Sequence, residues 1–189
     1  MSIDFGKASD KFDAVMCTTG GENDMVQGGG VFTVVCHDAD GNLKWEDTFH
    51  NLVPSGGLQY MSASFFTGTG YTTALYFGLI TGPGSGTTFA AGDTLASHAG
   101  WTENTDYSGT RKSIGFGTPT TATPSVTVGT GATSFTMTGS ATIAGAFVAN
   151  VASGTSGVLF AEGDFTGGDK SVTTGDSLAV TYTFSLTSS

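Results

Sequence analysis

The sequence predicts a mainly-β protein with a β-sandwich or jelly-roll-like fold and one or two short helices. From residue 111 onward, short runs with alternating apolar and polar residues recur at intervals of about ten residues, which is typical of sandwiches and barrels. Gly, Pro or Asn separates these runs. Hydrophobic residues make up 38% of the 189-residue chain and include 14 Phe, so the chain can form one buried core.

The chain is expected to divide into an arm and a domain. Residues 1–30 have little periodicity and end in Gly28-Gly29-Gly30, which predicts an N-terminal arm or irregular segment. Residues 31–189 are predicted to form a single mainly-β domain, with a possible subdivision near residues 111–112.

A β-hairpin is the clearest local prediction. Residues 31–37 and 43–49 alternate as strands, and the turn between them contains Gly41, which supplies a positive φ. Asp38, Asp40 and Asn42 also have the spacing of the first half of a calcium loop, but the glutamate that would complete the loop is absent. The hairpin turn is therefore the preferred interpretation, and no metal site is expected.

The middle of the chain predicts two short helices and a buried strand. Leu58, Met61 and Phe65 recur at spacings of three and four, which indicates a helix over residues 58–66. Residues 72–80 are predicted to be a buried strand. Asp93 is a predicted N-cap for a second short helix over residues 94–99.

The C-terminal part predicts six strands. They are expected at residues 113–116, 125–128, 134–138, 142–148, 158–161 and 177–186. In the last strand the larger apolar side chains fall on every second residue, so one face belongs to the core and the other faces solvent or an interface. These apolar residues are Leu178, Val180, Tyr182, Phe184 and Leu186.

Composition and charge restrict the partners. Charged residues make up 12% of the chain, about half of the usual fraction, and none occurs in residues 48–92 or 113–161. The formal net charge of -10 argues against nucleic acid and against an anionic membrane surface as partners. Small hydroxylated side chains lose little entropy on burial, so the composition favours a protein that works within an assembly. No apolar segment suggests a secretory signal or a membrane span, so synthesis in a cytoplasm is expected.

No motif predicts catalysis. The sequence lacks HExxH, CxxC and GxSxG, so no catalytic, cofactor-binding or metal-binding residues are expected. Glu162 and Asp164 have a spacing that paired carboxylates could use in glycoside hydrolysis, but the surrounding glycines indicate a turn. Cys17 and Cys36 are expected to be reduced, with a disulfide between them as the open alternative.

Five residues are candidates for structural or interface roles: Trp45, Trp101, Glu103, Tyr107 and Arg111. Glu103 and Arg111 are predicted to form an ion pair near Trp101 that only stabilises the fold. The aromatic residues are predicted to belong to the core or an interface, with a sugar-stacking surface as the alternative.

The order of several segments resembles a family of small virion structural proteins of tailed bacteriophages. The matching segments are residues 49–53, 74–80, 91–103, 107–111, 142–147, 157–160 and 176–182. The resemblance implies a head decoration (cement) protein without catalytic residues. Such a protein would form a dimer or trimer, bind the major capsid protein and reside in the virion. A tail- or fibre-associated protein, with or without glycan binding, is the alternative, and a carbohydrate-active enzyme is a third hypothesis.

Overall fold

The computed structural model describes residues 26–68, 74–82, 86–122, 125–129 and 131–188. The protein is mainly β, and its antiparallel sheets form a sandwich-like fold, as predicted. Most of the predicted N-terminal arm, residues 1–25, lies outside the described residues. The elements in chain order are β1 (Val26–His37), β2 (Leu43–His50), α1 (Ser55–Phe66), β3 (Leu75–Thr81), β4 (Thr102–Asn104), β5 (Lys112–Ile114), β6 (Gly117–Ala122), β7 (Ser125–Gly129), β8 (Gly131–Thr136), β9 (Ala141–Ile143), β10 (Gly145–Ala149), β11 (Leu159–Asp164), β12 (Lys170–Val172) and β13 (Ser177–Ser188).

The larger sheet is organised around β13. Its strand order is β2-β1-β13-β7-β6, and β8 also pairs with β13. β1 pairs with β13 along all of its twelve residues, from Val26 opposite Ser188 to His37 opposite Ser177. β8 and β7 occupy the other edge of β13, one after the other along its length. The predicted hairpin and the predicted last strand are both confirmed.

The second sheet has the order β11-β10-β3-β4, with β5 also paired to β3. It packs on the larger sheet through a shared core in which aromatic rings meet. Phe77 of β3 lies 6.2 Å from Phe32 of β1 and 6.5 Å from Tyr182 of β13, measured between ring centroids. Strands from both sides of residues 111–112 contribute to each of these two sheets, whereas β9 and β12 pair with each other in a small third sheet.

Helix α1 confirms the first predicted helix, although it begins at Ser55, three residues earlier than expected. It packs against β11 through Gly57. A Cβ atom at this position would lie 2.5 Å from the carbonyl oxygen of Phe160, so only glycine permits the close approach.

The second predicted helix, over residues 94–99, is wrong. This segment consists of turns in which Thr94 and Ser97 exchange two backbone hydrogen bonds. Asp93 does not cap it, because the Asp93 carboxylate accepts the N–H of Ala90, which precedes it. The turns place Leu95 in a buried apolar cluster, and this tertiary contact outweighs the local capping pattern.

The irregular segment predicted to end at residue 30 is also wrong in its last part. Residues 26–30 form the beginning of β1. Gly30 is needed for packing, since a Cβ atom there would lie 2.3 Å from the hydroxyl oxygen of Tyr182. The predicted strand 142–148 is divided into β9 and β10 at Ala144, and β4, β6 and β12 were not predicted.

The glycines of β1 provide a test of this packing. We expect Gly30→Ala to reduce the free energy of unfolding by about 1–3 kcal/mol, because the new methyl group overlaps the Tyr182 ring. Gly29→Ala is the matched control, since a Cβ atom at the adjacent position has no neighbour within 4 Å. Urea denaturation of both variants measures the difference, and equal stabilities would contradict the register of β1 on β13.

Candidate functional site

Trp101 lies in the interior. Its side chain is 3% exposed, and its Nε1–H donates a hydrogen bond of 2.8 Å to Oε2 of Glu162. The ring stacks on His98 with a centroid distance of 3.7 Å and contacts Phe147 at 5.1 Å. The described residues form two buried apolar clusters, and Trp101 belongs to the smaller one together with Leu95 and Phe147. Trp101 therefore organises this smaller cluster and cannot stack on a sugar in this fold.

Glu162 is a buried carboxyl group on β11. Its side chain is fully buried, and its Oε1 has no hydrogen-bond partner among the described residues. Burial raises the pKa of Glu162 to about 8, an effect that the neighbouring Asp93 reinforces and the Trp101 N–H opposes. The carboxyl group is therefore mostly protonated at neutral pH.

The turn predicted around Glu162 and Asp164 is wrong, because residues 159–164 pair with β10 as a strand. Glycine at position 163 lets β11 approach the backbone of His50 closely, since a Cβ atom there would lie 2.8 Å from the carbonyl oxygen of His50. Asp164 is exposed, whereas Glu162 is buried, so the two carboxyl groups have different environments. Although the residue as a whole is exposed, partial burial of the Asp164 carboxyl group raises its pKa.

The predicted ion pair between Glu103 and Arg111 is confirmed. Arg111 donates from Nε to Oε1 of Glu103 at 2.8 Å and from Nη2 to Oε2 at 2.7 Å. Nη1 also donates to the carbonyl oxygen of Val151 at 3.2 Å. The guanidinium lies 5.1 Å from the ring centroid of Phe147, which also contacts Trp101. The pair therefore joins the loop before β5 to β4 and to the core beside Trp101.

The other two candidate aromatic residues differ in exposure. Tyr107 is 5% exposed and packs on Phe135 at a centroid distance of 4.7 Å, and burial raises its pKa to about 12. Trp45 is partly exposed and packs on Phe165 at 5.3 Å. Of the three aromatic candidates, Trp45 alone reaches the surface.

The hairpin turn after β1 is held by Asp38. Its carboxylate accepts the backbone N–H groups of Asp40 at 3.0 Å and Asn42 at 2.8 Å, and also the side-chain amide of Asn42. Gly41 has a φ of 86°, as the turn prediction required. These hydrogen bonds, led by that from the Asn42 side chain, lower the pKa of Asp38. Within the described ranges, no group of three or more His, Cys, Asp or Glu residues could hold a metal ion.

Cys36 is a buried residue of β1, and burial raises the pKa of its thiol to about 11. A thiol with this pKa is protonated and unreactive at neutral pH. Cys17 lies outside the described residues, so the expectation that both cysteines are reduced stays a prediction.

The larger sheet has an uncharged outer face, which we define as the side of the sheet opposite the core. No Asp, Glu, Lys or Arg occurs in β1, β6, β7, β8 or β13, so the charges of this sheet all lie on the edge strand β2. Hydroxyl groups of neighbouring strands contact one another on this sheet. These contacts join Thr33 with Thr48, Thr127 with Ser185, and Ser134 with Ser177.

Burying such a face in a contact costs little free energy. Thr, Ser and Ala side chains lose little rotamer entropy, and each hydroxyl can donate to and accept from a partner. No charge must be desolvated, apart from those at the β2 edge. The sequence predicted one such face only for β13, and the structure extends it across five strands.

In the described part of the chain, no helix is long and apolar enough to cross a membrane. Comparisons of the chain with protein families, curated proteins and solved structures found no match.

The buried carboxyl group of Glu162 predicts a pH dependence of stability. The pKa of Glu162 is about 8 in the folded protein, compared with 4.5 for a glutamate exposed to water, as in the unfolded chain. The free energy of unfolding is therefore highest, as far as this group is concerned, below pH 4.5, where the carboxyl group is protonated in both states. As the pH rises toward 8, the free energy of unfolding falls by up to about 1.4 kcal/mol per pH unit. Glu162→Gln keeps an acceptor for Trp101 and removes this slope.

Denaturant unfolding at several pH values between 5 and 9 measures this difference. The advantage of Glu162→Gln over the wild type should increase up to about pH 8 and then level off. Glu46→Gln, at an exposed position on β2, controls for the loss of a carboxylate. Parallel stability curves for Glu162→Gln and the wild type would contradict the account.

The ion pair of Arg111 is expected to require the guanidinium group. Arg111→Lys should lower the free energy of unfolding by about 1–3 kcal/mol, because an ammonium group cannot donate in parallel to both oxygens of Glu103. The reverse exchange at the adjacent residue, Lys112→Arg, serves as the control and should have little effect, because an arginine can also donate to the carbonyl oxygen of Ser108 and lie over the Tyr107 ring, as Lys112 does. Chemical denaturation compares the two variants, and a neutral Arg111→Lys would show that the paired geometry contributes nothing.

Proposed function

We propose that the chain is a non-catalytic structural subunit that self-associates through the uncharged outer face, and that it serves as a capsid decoration (cement) protein of a tailed phage. The outer face is the observation that supports self-association. The assignment to a phage head rests on the sequence resemblance described above.

Electrostatics favours this face for contacts between copies. Each copy carries a net charge of -10, so copies repel one another over most of their surfaces. A twofold contact places the same surface of both copies opposite each other, and in any contact between copies of this net charge, acidic groups that meet would cost binding free energy. The outer face avoids this cost because five of its strands carry no charge. A dimer or a trimer is the expected product.

Decoration would act by mass action on the capsid. A subunit that binds only the assembled shell stabilises it by RT ln(1 + [L]/Kd) per site, which is about 2.7 kcal/mol at a concentration of one hundred times Kd. The partner in this proposal is the major capsid protein, and the location is the virion.

The tail- or fibre-associated alternative is supported by fewer residues than the sequence suggested. Trp101 and Tyr107 are buried, so a glycan site on these aromatic residues would depend on Trp45. Copy number separates the two functions, since decoration requires hundreds of copies per particle and a tail position requires few. Glycan binding together with failure to bind shells would favour the tail.

A charge on the outer face provides the test. Thr181→Glu places a carboxylate near the middle of β13, and we expect self-association to weaken at least tenfold, because the new charges meet across the contact. Thr155→Glu adds the same charge to an exposed loop and is the control. Light scattering over a range of concentrations measures the mass, and circular dichroism checks that both variants remain folded.

The same two variants can be mixed with capsid shells that lack the subunit. The wild type and Thr155→Glu should bind at a defined ratio and raise the melting temperature of the shells. If Thr181→Glu assembles and binds as well as the control, the outer face is not the contact surface.

A further inference from the structure

The beginning of β1 has an open edge. β2 pairs with β1 only from Val31 onward, whereas β13 pairs with β1 along its whole length. Residues 26–29 therefore have a strand neighbour on one side only, within the residues that the structure describes. Exposed strand edges of this kind can pair with another chain.

The backbone of Gly28 points toward this open edge. Two residues later, Gly30 exchanges hydrogen bonds with Asn51 on that side: its N–H donates to Oδ1 at 2.6 Å, and its carbonyl oxygen accepts the Asn51 N–H at 3.2 Å. In a strand, backbone groups of every second residue point to the same side. The N–H and C=O of Gly28 are therefore directed away from β13.

A groove of about 240 Å³ lies at this edge. Gly28 forms part of its lining, together with residues 51–53, Ser55, Leu58 and Ala91. We call it the β1-edge groove. None of its lining residues is charged, and Leu58 is 43% exposed. A strand added here would gain main-chain hydrogen bonds from β1 and apolar contacts from Leu52, Val53 and Leu58.

The sequence outside the described residues contains a segment with the matching pattern. In Met1-Ser2-Ile3-Asp4-Phe5, three apolar residues alternate with two polar ones. As a strand, this segment would present Met1, Ile3 and Phe5 on one face and Ser2 and Asp4 on the other. The first face suits the apolar lining of the groove, and the second would remain in water.

A tight hairpin within one chain cannot bring residues 1–5 to this edge, whereas a neighbouring copy can supply them. A hairpin within one chain would place residues close to Val26, such as Cys-Thr-Thr-Gly-Gly at 17–21, beside the edge, and these lack the alternation. Twenty residues separate Phe5 from Val26. A chain of that length spans up to about 70 Å, which is enough to reach another subunit.

We propose that residues 1–5 of one copy add as a strand to β1 in the β1-edge groove of a neighbouring copy. This inference rests on the proposed self-association and names a second contact that strengthens it.

Matched substitutions on the two partners test the inference in the full-length protein. Leu58→Glu alters the groove, with Gln59→Glu as control at an exposed neighbour on the same helix that does not line the groove. Ile3→Glu alters the apolar face of the donor segment, with Ser2→Glu as its control. Sedimentation velocity measures the dissociation constant of each variant, and circular dichroism checks its fold.

We expect Leu58→Glu and Ile3→Glu each to raise the dissociation constant at least tenfold, and each control to change it less than twofold. Mixing the two impaired variants should restore association beyond that of either alone. In the mixed pair, the intact segment of the Leu58→Glu copy meets the intact groove of the Ile3→Glu copy. A segment docked on its own chain cannot show this rescue.

Four results would overturn the inference, and they have different meanings. Absence of rescue on mixing excludes exchange between copies. An effect of Leu58→Glu without one of Ile3→Glu shows that residues 1–5 do not occupy the groove. A wild type that self-associates while neither substitution has an effect overturns this contact alone, whereas a wild type that stays monomeric overturns the proposed self-association itself.

Discussion

The two-residue period of β13 is the constraint on which the larger sheet depends. Its pairing with β1 on one edge and with β8 and β7 on the other fixes which side chains face inward. Leu178, Val180 and Tyr182 are fully buried, and the residues between them form the outer face. A shift of one residue in this register would expose the core and bury the hydroxyl groups. The core and the uncharged face are therefore two consequences of one pairing.

The charged residues complement this arrangement because they act mainly at turns and edges. Asp47 accepts hydrogen bonds from the backbone of residues 166 and 167, which holds the turn after β11. Asp176 pairs with Lys44 of β2. These hydrogen bonds lower the pKa values of both aspartates, against the opposing effect of their burial. Charges used in this way stabilise loops and leave five strands of the larger sheet neutral, which is the property on which the proposed assembly relies.

Patterns among neighbouring residues correctly predicted the elements whose conformation depends on residues close in sequence. The hairpin, the first helix and β13 each depend on residues close in sequence, and the Glu103–Arg111 pair spans only eight positions. The interior of the smaller cluster could not be predicted in this way. Trp101 and Glu162 meet across 61 residues, and nothing near Glu162 in the sequence indicates that its carboxyl group is buried. Asp93 has the residue type of a helix cap, but the burial of Leu95 determines the conformation around it. The width of the uncharged face likewise depends on which strands pair, and short-range alternation does not specify this.

Sedimentation of the wild-type protein at low and high salt tests the central claim most directly. Association through an uncharged face between copies of net charge -10 should give a defined multiple of the 19.1 kDa chain mass. Raising the salt from about 20 mM to about 500 mM should preserve or strengthen it, because salt screens the repulsion between copies and no ion pair holds the contact. A 19.1 kDa species at every concentration, or an oligomer that dissociates as salt is added, would contradict the account.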